Sequence, residues 1–353
     1  MKKDSKPQAA YARAGVDIAL GNRVKAGLPA LLASTHRRGV VGKVGGFGGL
    51  FALDTRRYPN PVLVGSVDGV GTKLKLAFAS GQHDTVGQDL VNHCVNDIAV
   101  LGAEPLYFLD YIGTGKLNKR VFNAIIAGFA KACAENNCAL IAGETAQMSG
   151  FYNAGEYDLS GTIVGVVERG KMLNGRRTVK VGDVILGLAS NGLHTNGYSL
   201  ARKIFFEVAG LKITDHVEEL GTTVGAELMK VHTSYLRVMQ ALVRRFNKAQ
   251  SHIRAFAHIT GGGFVDNIPR VLPKNCDALI RKDTWPVLPV FRFIQAKGDV
   301  AEAEMFQVFN MGIGMVGVVS AEQAESSLRF VRKHHNAWVI GQITRGVQKV
   351  QFA

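Results

Sequence analysis

Apolar positions along the chain follow two rhythms, one suited to strands and one to helices. Val62–Val67 is a short apolar run stopped by Asp68-Gly69, and it reads as a buried strand. Over Thr85–Leu101, the residues Leu90, Cys94, Ile98 and Leu101 recur at helical spacing, which predicts a helix with one buried stripe. Asn118–Glu135 shows the same rhythm in Phe122, Ile125, Ile126, Phe129 and Cys133. Leu106–Ile112, Cys138–Ala142 and Asp158–Val167 predict further strands. A polar, basic stretch at Glu168–Lys180 marks an expected boundary between domains 1–170 and 171–353.

The second half repeats the general layout. Val184–Ala189, Ala255–Ile259 and Trp338–Ile343 read as strands, and Phe306–Val319 as one or two buried strands. Gly197–Val208, Ala226–Phe246 and Ser320–His334 read as helices. A shorter helix follows Gly263 and ends near Pro269. Ala226–Phe246 carries a stripe of Leu228, Val231, Tyr235, Met239, Leu242 and Phe246. Strands and helices mix in both halves, so the expected class is α+β, built as two α/β layer domains.

At 353 residues and 47% apolar content the chain can bury a core without disulfides or structural metals. The four cysteines (Cys94, Cys133, Cys138 and Cys276) have no metal-ligand spacing and read as reduced thiols. The basic N-terminus lacks an apolar run after it, and no segment reaches the length of a membrane span. The expectation is a cytoplasmic protein that does not bind membranes. Residues 1–10 read as a loose tail. The net charge of +14 suggests anionic partners, yet it is spread along the chain. With no nucleic-acid motif present, phosphorylated small molecules, or no specific meaning of the charge, are favoured over nucleic acid.

Glycine is abundant, at 41 residues, and clusters in short loops. No Walker A, GxSxG or HExxH motif occurs. One GxGxxG, at Gly312, Gly314 and Gly317, runs into Val318-Val319 and reads as part of a strand.

Four segments can carry chemistry. In Asp68-Gly69-Val70-Gly71-Thr72-Lys73 the glycines allow close approach to a phosphate, Lys73 can neutralise it, and Asp68 can hold a bridging metal. On Thr85–Leu101, Asp89, His93, Asn96 and Asp97 share the face away from the apolar stripe. That face reads either as solvated or, since the helix has no Lys or Arg, as cation-binding. Gly143-Glu144-Thr145-Ala146 ends an apolar strand, where Glu144 can be another metal carboxylate or a helix-start acid. Finally, Ser190–Gly197 with His194, Thr195 and Asn196, and Thr260-Gly261-Gly262-Gly263, both lie between a strand and a helix and can bind anions. His194 reads as acid or base, as a phosphate donor, or as structural. Together these imply an ATP–magnesium enzyme of a non-Walker type.

The same motifs, in order, resemble those of the phosphoribosylformylglycinamidine cyclo-ligase (AIR synthetase) family. The resemblance runs from Tyr11 to near the C-terminus. It includes YARAGVDIALGN (Tyr11–Asn22), GGFGG (Gly45–Gly49), DGVGTK (Asp68–Lys73), HDTVGQDLVNHCVND (His83–Asp97), GAEP (Gly102–Pro105) and FLDYIGTGK (Phe108–Lys116). It continues with GETA (Gly143–Ala146), HTNGYSL (His194–Leu200), HITGGGFVDNIPRVLP (His258–Pro273) and FNMGIGM (Phe309–Met315). It implies two α+β domains of the AIR synthetase type, with N-terminal domains pairing in a homodimer. It also implies ATP-dependent ring closure of formylglycinamidine ribonucleotide through phosphorylation of the formyl amide oxygen.

By the same resemblance, Asp68, Asp97 and Glu144 are the expected Mg2+ ligands. Gly45, Gly46, Phe47, Gly48, Gly49, Gly69, Gly71, Thr72 and Lys73 go with ATP. His194, Thr195, Asn196, Thr260, Gly261, Gly262 and Gly263 go with substrate or phosphate. Lys73, Asp97 and His194 are expected to carry the chemistry. One departure is Gln147-Met148-Ser149-Gly150, where the family commonly has Glu-Met-Pro-Gly, so Gln147 receives no metal role. Selenophosphate synthetase and thiamine monophosphate kinase are the alternatives within the superfamily. The first is disfavoured because the first cysteine here, Cys94, lies inside a helix.

Overall fold

The structure is a computed structural model that describes residues 10–42 and 46–353. The expected N-terminal tail, except Ala10, and Gly45 of the glycine-rich loop lie outside the described residues.

The principal elements of the first half are β1 (Pro61–Gly69), α1 (Asp84–Ala99), β2 (Glu104–Thr114), α2 (Lys119–Glu135), β3 (Ala139–Gln147) and β4 (Tyr157–Glu168). They form a four-stranded sheet in the order β1-β4-β2-β3, antiparallel except for the β2/β3 pair. α1 and α2 cover one face. They approach closely because Gly87 and Gly128 carry no side chain: a Cβ there would meet Ile125 O at 2.5 Å and Asp84 O at 2.2 Å. The other face keeps Leu63 and Val67 exposed at 61% and 64%.

The second half holds β5 (Val184–Ala189), α3 (Leu236–Phe246), β6 (Ile253–His258), β7 (Cys276–Ile280), α4 (Pro289–Gly298), β8 (Ile313–Val319), α5 (Ala324–Val331), β9 (Ala337–Arg345) and β10 (Val350–Phe352). Its six-stranded sheet runs β6-β8-β5-β9-β7-β10, with only β7/β10 parallel. One apolar cluster continues through both halves. Strands and helices in each half make the class α+β.

Four expectations need correction. α1 is not a two-faced surface helix: 14 of its 16 residues are buried, because the second half covers its polar side. Leu101, assigned to its apolar stripe, lies past the helix end and is 46% exposed. The expected long helix Ala226–Phe246 is broken into Val224–Leu228 and α3, with a non-helical stretch between that places His232. The start of the Phe306–Val319 segment is helical, within Glu302–Val308, and only β8 is a strand. Gly312, Gly314 and Gly317 belong to β8 and its entry. A Cβ at Gly314 would meet Tyr235 Oη at 2.2 Å, so packing accounts for that glycine.

Candidate active site

Helical geometry puts His93 and Asp97 one turn apart on α1, facing the end of β1 where Asp68 stands. His93 Nε2 lies 3.5 Å from Asp68 Oδ2 and 3.7 Å from Asp97 Oδ2. The other oxygen of Asp97 accepts a hydrogen bond from His258 Nδ1 at 2.8 Å, and Ser66 Oγ donates to Oδ2 at 3.4 Å. Both carboxylates therefore meet imidazoles rather than lysine or arginine. Burial, and then the charge of Asp97, push Asp68 up to about 7. Burial also pushes Asp97 upward, but the hydrogen bond and charge of His258, with His93, outweigh it and hold Asp97 at about 2. Burial and the charge of His258 push His93 down to about 4.

These groups form one wall of a cleft of about 530 Å³ between the two halves. The opposite wall carries Asn196, Thr260, Gly261 and Arg270. The Nδ2 of Asn196 is buried without a hydrogen-bond partner, a donor left open beside Gly261. Asp68, Asp97, Asn196, Thr260 and Gly261, placed by sequence in separate segments, thus meet in one cleft.

Lys73 does not. Its side chain is fully buried and turns away from the cleft. Nζ pairs with Asp89 Oδ2 at 2.7 Å, and donates to the carbonyls of Lys230 at 2.7 Å and His194 at 3.3 Å. Asp89 Oδ1 accepts from the His232 N–H at 2.8 Å. Burial pulls Lys73 down and Asp89 up, each opposed by the charge of the other. The expected phosphate-neutralising role of Lys73 is replaced by a pin between the two halves. Gly69, Gly71 and Thr72 beside it stay exposed, and Thr72 Oγ1 lies 3.1 Å from Ser199 Oγ.

Glu144 is also displaced from the expected metal triad. Asp68, Gly161, Asp110 and Gly143 form one row across the sheet, and Gly69, Ser160, Tyr111 and Glu144 form the next. Successive residues point to opposite faces, so Glu144 lies on the helix-free face. Three strand spacings separate it from β1, roughly 14 Å at about 4.8 Å each. The glycine-rich loop lies beside the same edge strand: a Cβ at Gly49 would meet Ile141 Cγ1 at 2.6 Å. Gly46, Gly48 and the fully exposed Phe47 are therefore not brought to Asp68.

His194 is 1% exposed and does not line the cleft. Its ring stacks on His232, with centroids 4.1 Å apart, and both ring nitrogens lack partners. Burial, with neighbouring positive groups, holds it well below the usual histidine range. The acid, base and phosphate-donor readings of His194 do not fit this placement. Thr195 links His93 Nδ1 at 2.7 Å to His232 Nδ1 at 3.2 Å. Gly262 and Gly263 have φ of +89° and +56°, and a Cβ at Gly263 would meet Phe306 O at 2.0 Å. Local backbone geometry therefore explains these two, leaving Gly261 as the cleft glycine.

Sequence reasoning missed His232, His258, Arg270 and Asp110 as site or support residues. The run Val231-His232-Thr233-Ser234 carried a signal, since β-branched and Ser residues are poor helix formers. Asp110 is 8% exposed and leans over Gly143, where a Cβ would lie 2.1 Å from its Oδ1.

The chain matches "AIR synthase related protein, N-terminal domain" over residues 53–167 and "AIR synthase related protein, C-terminal domain" over residues 180–352. It is 49% identical over 340 residues to phosphoribosylformylglycinamidine cyclo-ligase of Syntrophotalea carbinolica, covering 96% of this chain and 95% of that protein. The chain belongs to the phosphoribosylformylglycinamidine cyclo-ligase family. Solved structures extend the likeness of fold beyond the cyclo-ligases. Thiamine-monophosphate kinase of Stenotrophomonas maltophilia has a TM-score of 0.68 at 17% identity, covering 96% of each chain. The hydrogenase maturation protein HypE in complex with ATP has a TM-score of 0.65 at 18% identity, covering 94% of this chain and 90% of that one. Among the described residues, no helix is long and apolar enough to cross a membrane.

Proposed function

We propose that this chain is an ATP-dependent cyclo-ligase of purine biosynthesis that closes formylglycinamidine ribonucleotide to 5-aminoimidazole ribonucleotide. The observation that carries this reading is the cleft between the halves, where the carboxylates of one wall face the open donors of the other. In this reaction the formyl amide oxygen takes the γ-phosphoryl group and ADP leaves. The ribosyl-bearing amidine nitrogen then bonds to the activated carbon, the C–O bond breaks, and phosphate and a proton are released. An amide oxygen is a poor leaving group, and phosphorylation makes it a good one.

The residues divide the work. The exposed Gly69, Gly71 and Thr72 offer backbone N–H groups to ATP phosphates. Arg270 supplies a cation for a substrate phosphate or the transferring phosphoryl group. Asn196 Nδ2 donates to a substrate oxygen. Asp68 and Asp97 suit a divalent cation, because two carboxylates crowd together with no ammonium or guanidinium of the described residues against them. When bound, Mg2+ or a similar ion would offset phosphate charge. The four cysteines are free and buried, in keeping with a cytoplasmic enzyme.

The helix-free face of the first sheet, with Leu63 and Val67 exposed, is the surface for the homodimer. Sedimentation of Val67→Glu should show the dimer shifting to monomer.

The deciding assay mixes the purified chain with ATP, Mg2+ and formylglycinamidine ribonucleotide. ADP and the aminoimidazole should appear in equal amounts, each requiring the other substrate. ADP without imidazole, or no turnover by folded protein, overturns the proposal and leads to thiamine monophosphate as the next substrate tested.

A further inference from the structure

We infer that His93 is a metal ligand of this site, completing with Asp68 and Asp97 a mixed imidazole–carboxylate set that takes Mn2+-class cations in preference to Mg2+. The inference rests on the reading of Asp68 and Asp97 as cation ligands and replaces Glu144 by a nitrogen donor.

Distance is the first argument. The separations from His93 Nε2 to Asp68 Oδ2 and Asp97 Oδ2 are 3.5 and 3.7 Å. These are too long for hydrogen bonds. They suit donors on one ion, whose bonds of roughly 2.0–2.2 Å place ligand atoms about 3–4 Å apart. His93 is 6% exposed, and its Nε2 has no hydrogen bond among the described residues.

The surroundings of the donors are the second argument. A metal-bound imidazole usually has its other nitrogen fixed by a hydrogen bond, and a metal-bound carboxylate is itself hydrogen-bonded. His93 Nδ1 lies 2.7 Å from Thr195 Oγ1, so with Nδ1–H donating there the Nε2 lone pair points at the carboxylates. Asp97 Oδ1 is taken by His258, whereas Oδ2 accepts only the long 3.4 Å contact from Ser66 Oγ and keeps a lone pair for the ion. His93 and Asp97 also belong, with His258, to a group whose ligand atoms lie within 4.8 Å of one another.

Selectivity follows from donor type. Mg2+ favours oxygen ligands and a rigid octahedron, whereas imidazole strengthens the hold on Mn2+ and later first-row ions. The cleft leaves the remaining positions open to phosphate oxygens.

The test titrates the full chain with MnCl2 alone, following calorimetry and the electron spin echo of bound Mn2+. The expected result is one site with modulation from a single imidazole nitrogen, altered when histidine is labelled with nitrogen-15. His93→Gln should remove that modulation and weaken Mn2+ by ~10-fold, while Mg2+ affinity changes by less than about threefold. Mn2+ binding without a nitrogen signal overturns the role of His93, and this readout on the unaltered chain stands even if His93→Gln misfolds. Mn2+ binding that survives both Asp68→Asn and Asp97→Asn, or no binding at all, overturns the carboxylate site itself.

Discussion

The polar side of α1 divides into two regions of opposite character. Asp89 and Asn96 are sealed, each fully buried and bonded to the second half of the chain. His93 and Asp97 belong to the same helix, yet line the open cleft with bonding capacity to spare. Asn96 shows how complete the sealed region is: its oxygen accepts from Tyr235 N at 2.9 Å and its nitrogen donates to Thr233 O at 2.9 Å. One region spends polar groups on holding two domains in register. The other keeps them for a ligand. Residue type does not separate the two, since each contains an aspartate. What separates them is how far the second half uses up their bonding capacity: it engages both ends of the Asn96 amide, but meets Asp97 at Oδ1 and His93 at Nδ1 and leaves Oδ2 and Nε2 toward the cleft.

The sealed region should give the largest effect when broken. Lys73→Met leaves Asp89 buried without its cation, and is expected to lower unfolding free energy by about 3–5 kcal/mol. Urea melts measure it. The double variant Lys73→Met, Asp89→Leu should recover much of the loss, because no orphaned charge remains. A single variant as stable as the parent would return Lys73 to the phosphate side.

Asp110 sharpens the comparison, since it is buried with no cationic partner among the described residues. Burial pushes it up to about 7, with Glu144 adding to the rise. Below pH ~4 it is neutral in both the folded and unfolded chain. Between pH ~4 and ~7 the unfolded chain ionises while the folded one stays neutral, so stability falls as pH rises. Asp110→Asn removes this loss. Its advantage over the parent should grow from pH 4 to 7 and then level off, at a value on the order of 4 kcal/mol at most. An advantage that does not vary with pH would mean that Asp110 is ionised in the folded chain throughout.

On the open side, Asp68→Asn should lower turnover by at least ~10², because a cation ligand loses its charge. Its melting temperature should hold or rise, since burial already opposes ionisation of Asp68. Unchanged turnover in a folded variant would remove the carboxylate from the chemistry.

Much of this comparison was legible in sequence, but not its sides. Helical spacing gave α1 and placed His93 and Asp97 on a common face, and strand ends marked Asp68, Asn196 and Gly261. The direction of Lys73 was not legible. It depends on whether the carbonyls of His194 and Lys230 come within reach, and these are 121 and 157 residues away. The stretch around His232 was hidden because Leu228, Val231 and Tyr235 keep helical spacing through a segment that is not helical. Leu228 and Tyr235 are buried as that stripe implies, so the period predicted burial correctly and conformation wrongly. Short apolar runs such as Phe306–Val319 are ambiguous for the same reason.

The smallest effect is expected at Glu144, which sequence placed beside Asp68 and the sheet places on its other face. Strand order decides this, because β3 follows β2 in parallel while β1 lies at the far edge. Row parity then turns Glu144 toward Tyr111 and away from α1. Glu144→Gln should therefore change Mn2+ affinity in the absence of ATP by less than about twofold, against a loss of at least ~10-fold for Asp97→Asn. Calorimetric titration of the two variants side by side measures the contrast. A tenfold loss at Glu144 would bring that carboxylate back to the ion, and since this chain cannot fold it there across three strands, the ligand would have to come from a second copy.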